Sequence, residues 1–452
     1  MHLNLGHALE TAGQIVAAEN EYSQALLAEP ELPEAHFNLG NLRFRAGRLS
    51  EAALLFERAC VLRPRFPEAL LNLGNVRRVQ SELDAAESTY RRVLEIRPDF
   101  AEAFVNLGNV YRARNELPRA IAAYERALAL QPILSEAHLN QALANLAAGE
   151  WRRAWAGTEH RWTLKHALPL RRFRAERWTG VQPLEGRSIL LHAEQGLGDT
   201  IQFVRYVRLV AARGARVFLE VQPALRQLLE GFPGTAAVFS RGEPLPDCDY
   251  ECPLLSLPHA FGTDLSTIPV TQEYVVAPQA HTSKWSDWVA THLPRPRIGV
   301  KWSGNPSFPI GMNRSIAEQI FSRLPAGLSG ATFVCLEKEG LDPHGPMLRH
   351  CPGLITPKPG LADLADTAAL VAQLDLVITI DTSIAHLAGA MGRPVWVLLP
   401  FAADWRWLLN RTDSVWYTSM RLFRQSRAGD WPEVLNNVQV ALEDHFQNQG
   451  AP

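Results

Sequence analysis

Two patterns of apolar and polar residues divide the chain. Up to about residue 150 small and apolar residues recur as if on paired helices, whereas from Arg187 short apolar runs alternate with helical stretches. Leu376–Ile380 and Val395–Leu399 are apolar runs of strand length, and between them Ala385–Met391 has helix propensity. Asp381-Thr382-Ser383 are capping types that start this helix, and Gly392 followed by Pro394 can stop it. Two apolar strands joined by a short helix imply a parallel sheet covered on both faces. Similar patterning predicts strands at Ser188–Ala193, Arg216–Val221, Ala236–Phe239, Tyr250–Leu255, Tyr274–Val276, Arg297–Trp302 and Thr332–Leu336. It predicts helices at Thr200–Arg213, Lys284–Leu293, Leu361–Leu374 and Pro432–Phe446, and a basic helix start at Asn313-Arg314-Ser315.

The first third is an internal repeat. Asn-Leu-Gly begins at Asn4, Asn38, Asn72 and Asn106, and Asn140 keeps the phase, so the period is 34 residues. Pro30, Pro64, Pro98 and Pro132 share that period, as do Ala18, Ala52, Ala86 and Ala120 and the aromatics Tyr22, Phe56, Tyr90 and Tyr124. Small residues let two helices approach, aromatics fill the space between them, and each proline ends a second helix. Period and positions together resemble the tetratricopeptide repeat, with four good units and a degraded fifth reaching about residue 166. The resemblance implies a concave groove lined by the first helix of each pair. Asn38, Asn72, Asn106 and Asn140 fall on that helix, and a ladder of amides suits an extended peptide backbone. The alternative is that this asparagine is a consensus repeat residue engaged within the repeats. The sequence opens inside a repeat, so repeat sequence upstream is expected.

Composition narrows the class. The chain has 452 residues, 47% apolar and 20% charged, with a net charge of −2, which suits a folded protein and carries no general nucleic-acid signal. Five scattered cysteines do not make a disulfide framework, and Cys248 with Cys252 falls short of the four ligands of a structural zinc site. No run is long enough to span a bilayer and no signal peptide is visible, so a cytoplasmic location is expected. Lys165, Arg171, Arg172, Arg174 and Arg177 make the segment after the repeats basic, and Trp151, Trp155, Trp162 and Trp178 make it a packed junction.

In open parallel sheets ligands bind beyond the carboxyl ends of the strands, where the Asp381-Thr382-Ser383 turn sits. Its free N–H groups and the helix dipole favour a phosphate. The Glu194–Asp199 glycine loop follows the Ser188–Ala193 strand. Gly196, Gly198 and Glu220 partly match a dinucleotide fingerprint, but Ile201 stands at its third glycine position, which argues against NAD. Asp247-Cys248-Asp249 has the form of a metal-binding D-x-D, yet Pro244 and Pro246 precede it, so a turn is expected. Trp and Arg are dense between residues 403 and 431, suited either to stacking and anion contacts or to a hydrophobic seal under the last helix.

Two Rossmann-like units in tandem resemble a GT-B glycosyltransferase. Asp381-Thr382, His386-Leu387-Ala388 and Gly392-Arg393-Pro394, with Gly198-Asp199, resemble the family containing the ADP-heptose heptosyltransferases. Repeats joined to such a unit are similar to the protein O-GlcNAc transferases and the repeat-containing flagellin glycosyltransferases. The expected architecture is an all-α repeat solenoid (1–166), a linker (167–186) and an α/β GT-B region of two Rossmann-like units, acceptor-side (187–283) and donor-side (284–452). The acceptor-side unit is shorter than in the heptosyltransferases, so the acceptor is not carried over. The resemblance implies a metal-independent, inverting transferase with a nucleotide-sugar co-substrate and no further cofactor. Asp199 would be the general base, while Arg314 and the helix start at Thr382 and Ser383 would stabilise the leaving phosphate. Asp381 and His386 would position sugar and phosphate. The acceptor would be a protein hydroxyl brought by the repeats. The alternatives are a repeat adaptor with a degenerate transferase half and an enzyme acting on a cell-surface glycan.

Overall fold

The computed structural model describes residues 1–164, 171–269, 272–304, 314–327, 330–337, 345–357 and 360–447. The chain forms two compact units, one of Met1–Asn145 with His160–Ala167 and one of Leu146–Glu159 with Leu168–Pro452.

The first unit is a solenoid of paired helices: His2–Thr11 with Ile15–Ala28, Pro33–Arg45 with Leu49–Leu62, Pro67–Val79 with Leu83–Ile96, and Ala101–Ala113 with Leu117–Leu130. The repeat positions explain the pairing. Ala18, Ala52, Ala86 and Ala120 are fully buried, as are Tyr22, Phe56, Tyr90 and Tyr124. Each glycine of Asn-Leu-Gly lies against the ring of the following helix, where a Cβ would come within 2.6 Å of Tyr22 at Gly6 and 2.8 Å of Phe56 at Gly40. A side chain at these positions pushes the pair apart, so Gly74→Val should cost the solenoid about 1–3 kcal/mol. A denaturant midpoint unchanged by Gly74→Val would contradict this packing.

The second unit holds two five-stranded, all-parallel sheets. The first contains β1 (Glu176–Arg177), β2 (Ser188–His192), β3 (Arg216–Val221), β4 (Thr235–Ser240) and β5 (Tyr250–Pro253), in the order β1-β5-β2-β3-β4. The second contains β6 (Arg297–Lys301), β7 (Thr332–Cys335), β8 (Leu376–Ile380), β9 (Val395–Leu399) and β10 (Met420–Arg424), in the order β10-β9-β8-β6-β7. Every residue of β8 and β9 is buried, as the continuous apolar runs require. Trp431, Val434, Leu435, Val438 and Leu442 of the Trp431–Gln447 helix cover one face of the second sheet. Each chain path reverses direction next to its first central strand: between β2 and β5 in one sheet, and between β6 and β8 in the other. Such switch points open a crevice beyond the strands' carboxyl ends.

Several expectations change. Tyr274–Val276 is not a strand; the amides of Tyr274 and Val275 donate to Ala390 O at 2.9 and 3.2 Å, so the segment binds a helix end instead of a sheet. The stretch Thr200–Arg213 is not one helix but Leu197–Phe203 and Val207–Ala211 around a 3-10 turn. Within the Trp- and Arg-dense stretch, for which no strand is expected, Met420–Arg424 supplies the edge strand β10, and the junction supplies β1. Asn313 and the 305–309 part of the loop at 303–309 lie outside the described residues; a helix starts at Glu318, after Ile316 N has donated to Trp302 O. Lys165 also lies outside them. Two of the four described arginines of the basic run are engaged, Arg171 with the buried Glu220 and Arg177 with Glu251 at 2.5 Å, while Arg172 and Arg174 are exposed. Glu220, the acidic partner in the dinucleotide reading, is thereby occupied. Asp249 is bound by Ser188 N at 2.8 Å at the amino end of β2, so the D-x-D is a turn that ties two strands together.

The Trp151–Thr158 helix belongs to the second unit. Trp151 stacks on Trp416 at 5.1 Å, and Trp155 meets Trp405 edge-on at 5.6 Å. Trp151, Trp407 and Trp416 are essentially fully buried, so Trp405 and Trp416 seal the Trp151–Thr158 helix rather than the last helix. No helix among the described residues is long and apolar enough to cross a membrane.

Candidate active site

The two switch points face each other. Beyond β8, Thr382 caps the Ser383–Ala390 helix, its hydroxyl accepting from Ile384 N at 3.3 Å and lying 3.1 Å from Thr379 Oγ1. The cap is therefore Thr382, which leaves the Asp381 carboxylate for other partners. Arg314, from the connection after β6, places Nη1 4.0 Å from Asp381 Oδ2. Arg314 Nε is buried without a hydrogen-bond partner among the described residues.

Asp381 is 9% exposed. Burial, then the charge of Asp404, pushes its carboxyl up to about 6, against the pull of Trp407, Arg314 and Arg406. The Trp407 indole N–H favours the charged form, although its geometry falls short of a hydrogen bond. His386, one turn into the helix, is 5% exposed, and its Nδ1 lies 2.9 Å from the Tyr417 hydroxyl while its ring stacks on Trp407. Burial, reinforced by Arg406, Arg205 and Arg314, holds the imidazole well below its ordinary range. At neutral pH His386 is an uncharged hydrogen-bonding group, and the fixed positive charge near Asp381 comes from arginines.

Beyond β2, the Gly196–Leu197–Gly198 turn starts the Leu197–Phe203 helix. Gly198 is needed for contact with the other half. A Cβ there would lie 2.7 Å from His386 Cδ2 and 3.5 Å from Ser383 Cα. Asp199 is on the first turn of this helix, not at the strand end. Its Oδ2 accepts from Gly196 N at 2.9 Å, and its Oδ1 accepts from Arg406 Nη2 at 2.5 Å.

Asp199, Arg314, Asp381, Thr382, Ser383 and His386 thus come from one crevice between the two sheets. Arg406, Asp404, Trp407 and Tyr417 join them without an assigned role in the sequence. The density of Trp and Arg marked their segment but did not distinguish the arginine facing a carboxylate from those at the surface. Asn38, Asn72, Asn106 and Asn140 lie half-buried on the first helices of the solenoid. Asn72 Nδ2 donates to Asn41 Oδ1 at 2.7 Å, so this rung is also tied within the repeats. A second series one turn on does the same, with Tyr90 and Tyr124 donating to Asn75 and Asn109, each at 2.8 Å.

Models of the tetratricopeptide repeat match residues 3–67 and 66–133, and a model of glycosyltransferase family 9 (heptosyltransferase) matches residues 347–398. That last segment contains Asp381, Thr382, Ser383 and His386 but not Asp199, Arg314 or Arg406. Protein FlbA of Caulobacter vibrioides is 27% identical over 292 residues, which are 59% of this chain and 48% of FlbA. The chain therefore spans about half the length of the curated relative it matches. Among solved structures, MamA is 26% identical over 34% of this chain and 91% of its own, with a TM-score of 0.32. A thermophilic tetratricopeptide repeat protein of Thermus thermophilus is 24% identical over 35% of this chain and 87% of its own, with a TM-score of 0.31. The chain joins N-terminal tetratricopeptide repeats to a glycosyltransferase family 9 domain.

Proposed function

We propose that the protein transfers a sugar from a nucleotide-sugar donor to a protein hydroxyl recruited by the repeats. The observation that carries this reading is the convergence of Asp199, from one switch point, on Arg314, Asp381, His386 and a helix start from the other. The acceptor hydroxyl would attack the anomeric carbon as Asp199 takes its proton. The bond from that carbon to the phosphate oxygen would break with its electron pair leaving on the nucleotide. A single displacement of this kind inverts the anomeric centre. Arg314 and the N–H group at Ser383 would meet the leaving phosphate's charge, so that the transferase would work without a metal. Asp381 and His386 would hold the sugar and phosphate in line. The half-buried asparagine ladder supports a peptide acceptor, because each amide both donates and accepts.

The test is thermal stabilisation by ADP, GDP, UDP, CMP and their sugar conjugates. Ligand at 100 times its dissociation constant adds about 2.7 kcal/mol to the folded state, which reads as a clear rise in midpoint. One nucleotide series should give the shift, and Asp381→Ala should lose it relative to its own ligand-free midpoint. No shift with any of them at millimolar concentration would replace the enzyme with a repeat adaptor whose transferase half is structural.

A further inference from the structure

Arg406 lies in the Trp405–Trp407 turn that follows β9, and its side chain is 11% exposed. Each of its three nitrogens meets a protein acceptor. Nε donates to Gln202 Oε1 at 2.6 Å, Nη1 to Asp404 Oδ1 at 2.8 Å, and Nη2 to Asp199 Oδ1 at 2.5 Å. Its guanidinium carbon lies 4.5 Å from the centre of the Trp405 ring. Asp404 in turn caps the same turn, accepting from Arg406 N at 3.0 Å. The guanidinium is thus fixed by its own turn before it reaches across to Asp199. Arg314 differs, because its Nε has no partner among the described residues and its Nη1 stands 4.0 Å from Asp381. Of the two arginines, Arg314 is the one open to a ligand and Arg406 is the one committed to protein.

We infer that Arg406 is a positioning residue for transfer: reaching from the second sheet, it fixes the Asp199 carboxylate of the first. This rests on the proposed role of Asp199 as base. Asp199 sits on a short helix start and has few other constraints. Gly196 N holds one oxygen and Arg406 holds the other, which sets the carboxylate plane. A carboxylate oxygen has two lone pairs, so each keeps one for an incoming hydroxyl proton. Gln202 and Asp199 stand on the Leu197–Phe203 helix while Asp404 and Arg406 follow β9. The contact that orients the base therefore spans the two sheets.

The experiment uses the full chain with Arg406→Gln and Arg406→Ala, assayed by nucleotide release from ADP-, GDP-, UDP- and CMP-linked sugars. Arg406→Gln should lower kcat about 10- to 100-fold while the Kd of the stabilising nucleotide changes less than about threefold. Millimolar guanidinium should recover part of the kcat of Arg406→Ala without moving KM. A Kd that weakens in step with kcat would make Arg406 a donor ligand, and an unchanged kcat would make it idle; either overturns the inference. A double-mutant cycle of Asp199→Asn and Arg406→Gln in denaturant tests the contact without any assay of activity. The two changes should be non-additive, and additivity would show that Arg406 does not hold Asp199. Wild-type protein that releases no nucleotide from these donors sinks the transferase reading and the catalytic role drawn here, while the cycle still decides whether the contact exists.

Discussion

Asp199→Asn lowers nucleotide release from the donor that stabilises the protein by about 10²- to 10⁴-fold at saturating concentration, with the nucleotide Kd nearly unchanged. That range is what a positioned general base contributes, and it corresponds to about 2.7–5.5 kcal/mol of barrier. The substitution keeps the shape of the side chain and removes the site that receives the hydroxyl proton. It also has a structural effect that can be anticipated. The two carboxylate oxygens accept from Gly196 N and from Arg406, whereas an asparagine offers one oxygen and turns its NH₂ against the other donor. A modest loss of stability should therefore accompany the loss of rate, and rates are to be compared at a temperature where both proteins are folded. Nucleotide binding should survive, because Arg314, Thr382 and Ser383 are untouched. Turnover within tenfold of wild type would remove Asp199 as base and, with it, the reason for Arg406 to hold it.

The fold was legible where one physical signal dominated. The strands β8 and β9 lie where continuous apolar runs sit between turn residues, since a strand buried on both faces has no charged positions to obscure it. The repeat was legible because glycine, alanine, aromatic and proline positions all share one period. β10 was not. Its Arg421 is exposed and its Arg424 donates to the Trp407 and Leu408 carbonyls, so a strand with Met420, Leu422 and Phe423 buried reads as a basic loop. Tyr274–Val276 failed the other way, apolar enough for a strand but hydrogen-bonded to a helix end. In the site, capping residues and a strand-to-helix turn locate Asp381 and Thr382 from local sequence, whereas His386 and Asp199 are marked only by the family resemblance. The Arg406–Asp199 contact joins residues 207 positions apart, and no local pattern marks it. Gly198 has the same history: it reads as part of a glycine loop that partly matches a dinucleotide fingerprint, but its missing side chain makes room for His386.

Asp381→Asn should stabilise the ligand-free protein by about 3 kcal/mol near pH 8 and by almost nothing near pH 3. The sign follows from the direction of the shift. Burial and the nearby Asp404 raise the folded-state value from 3.8 to about 6, so ionising this carboxyl opposes folding. Below about pH 3 the group is protonated in both states and has no linkage effect. Between about 3 and 6 the unfolded chain ionises first, stability falls as pH rises, and above about 7 the full cost is present. The groups that face Asp381 do not cancel it: Arg314, Arg406 and Trp407 pull the carboxyl down, but burial and Asp404 prevail, and His386 is neutral. Asparagine removes the charge and retains the shape, and the partly exposed Arg314 can be solvated in its place. Denaturant midpoints of wild type and Asp381→Asn at the two pH values check this, alongside the nucleotide-induced shift, which the variant should lose. A variant less stable than wild type at both pH values would instead make Asp381 a structural partner of Arg314, and the donor site would have to be sought elsewhere in the crevice.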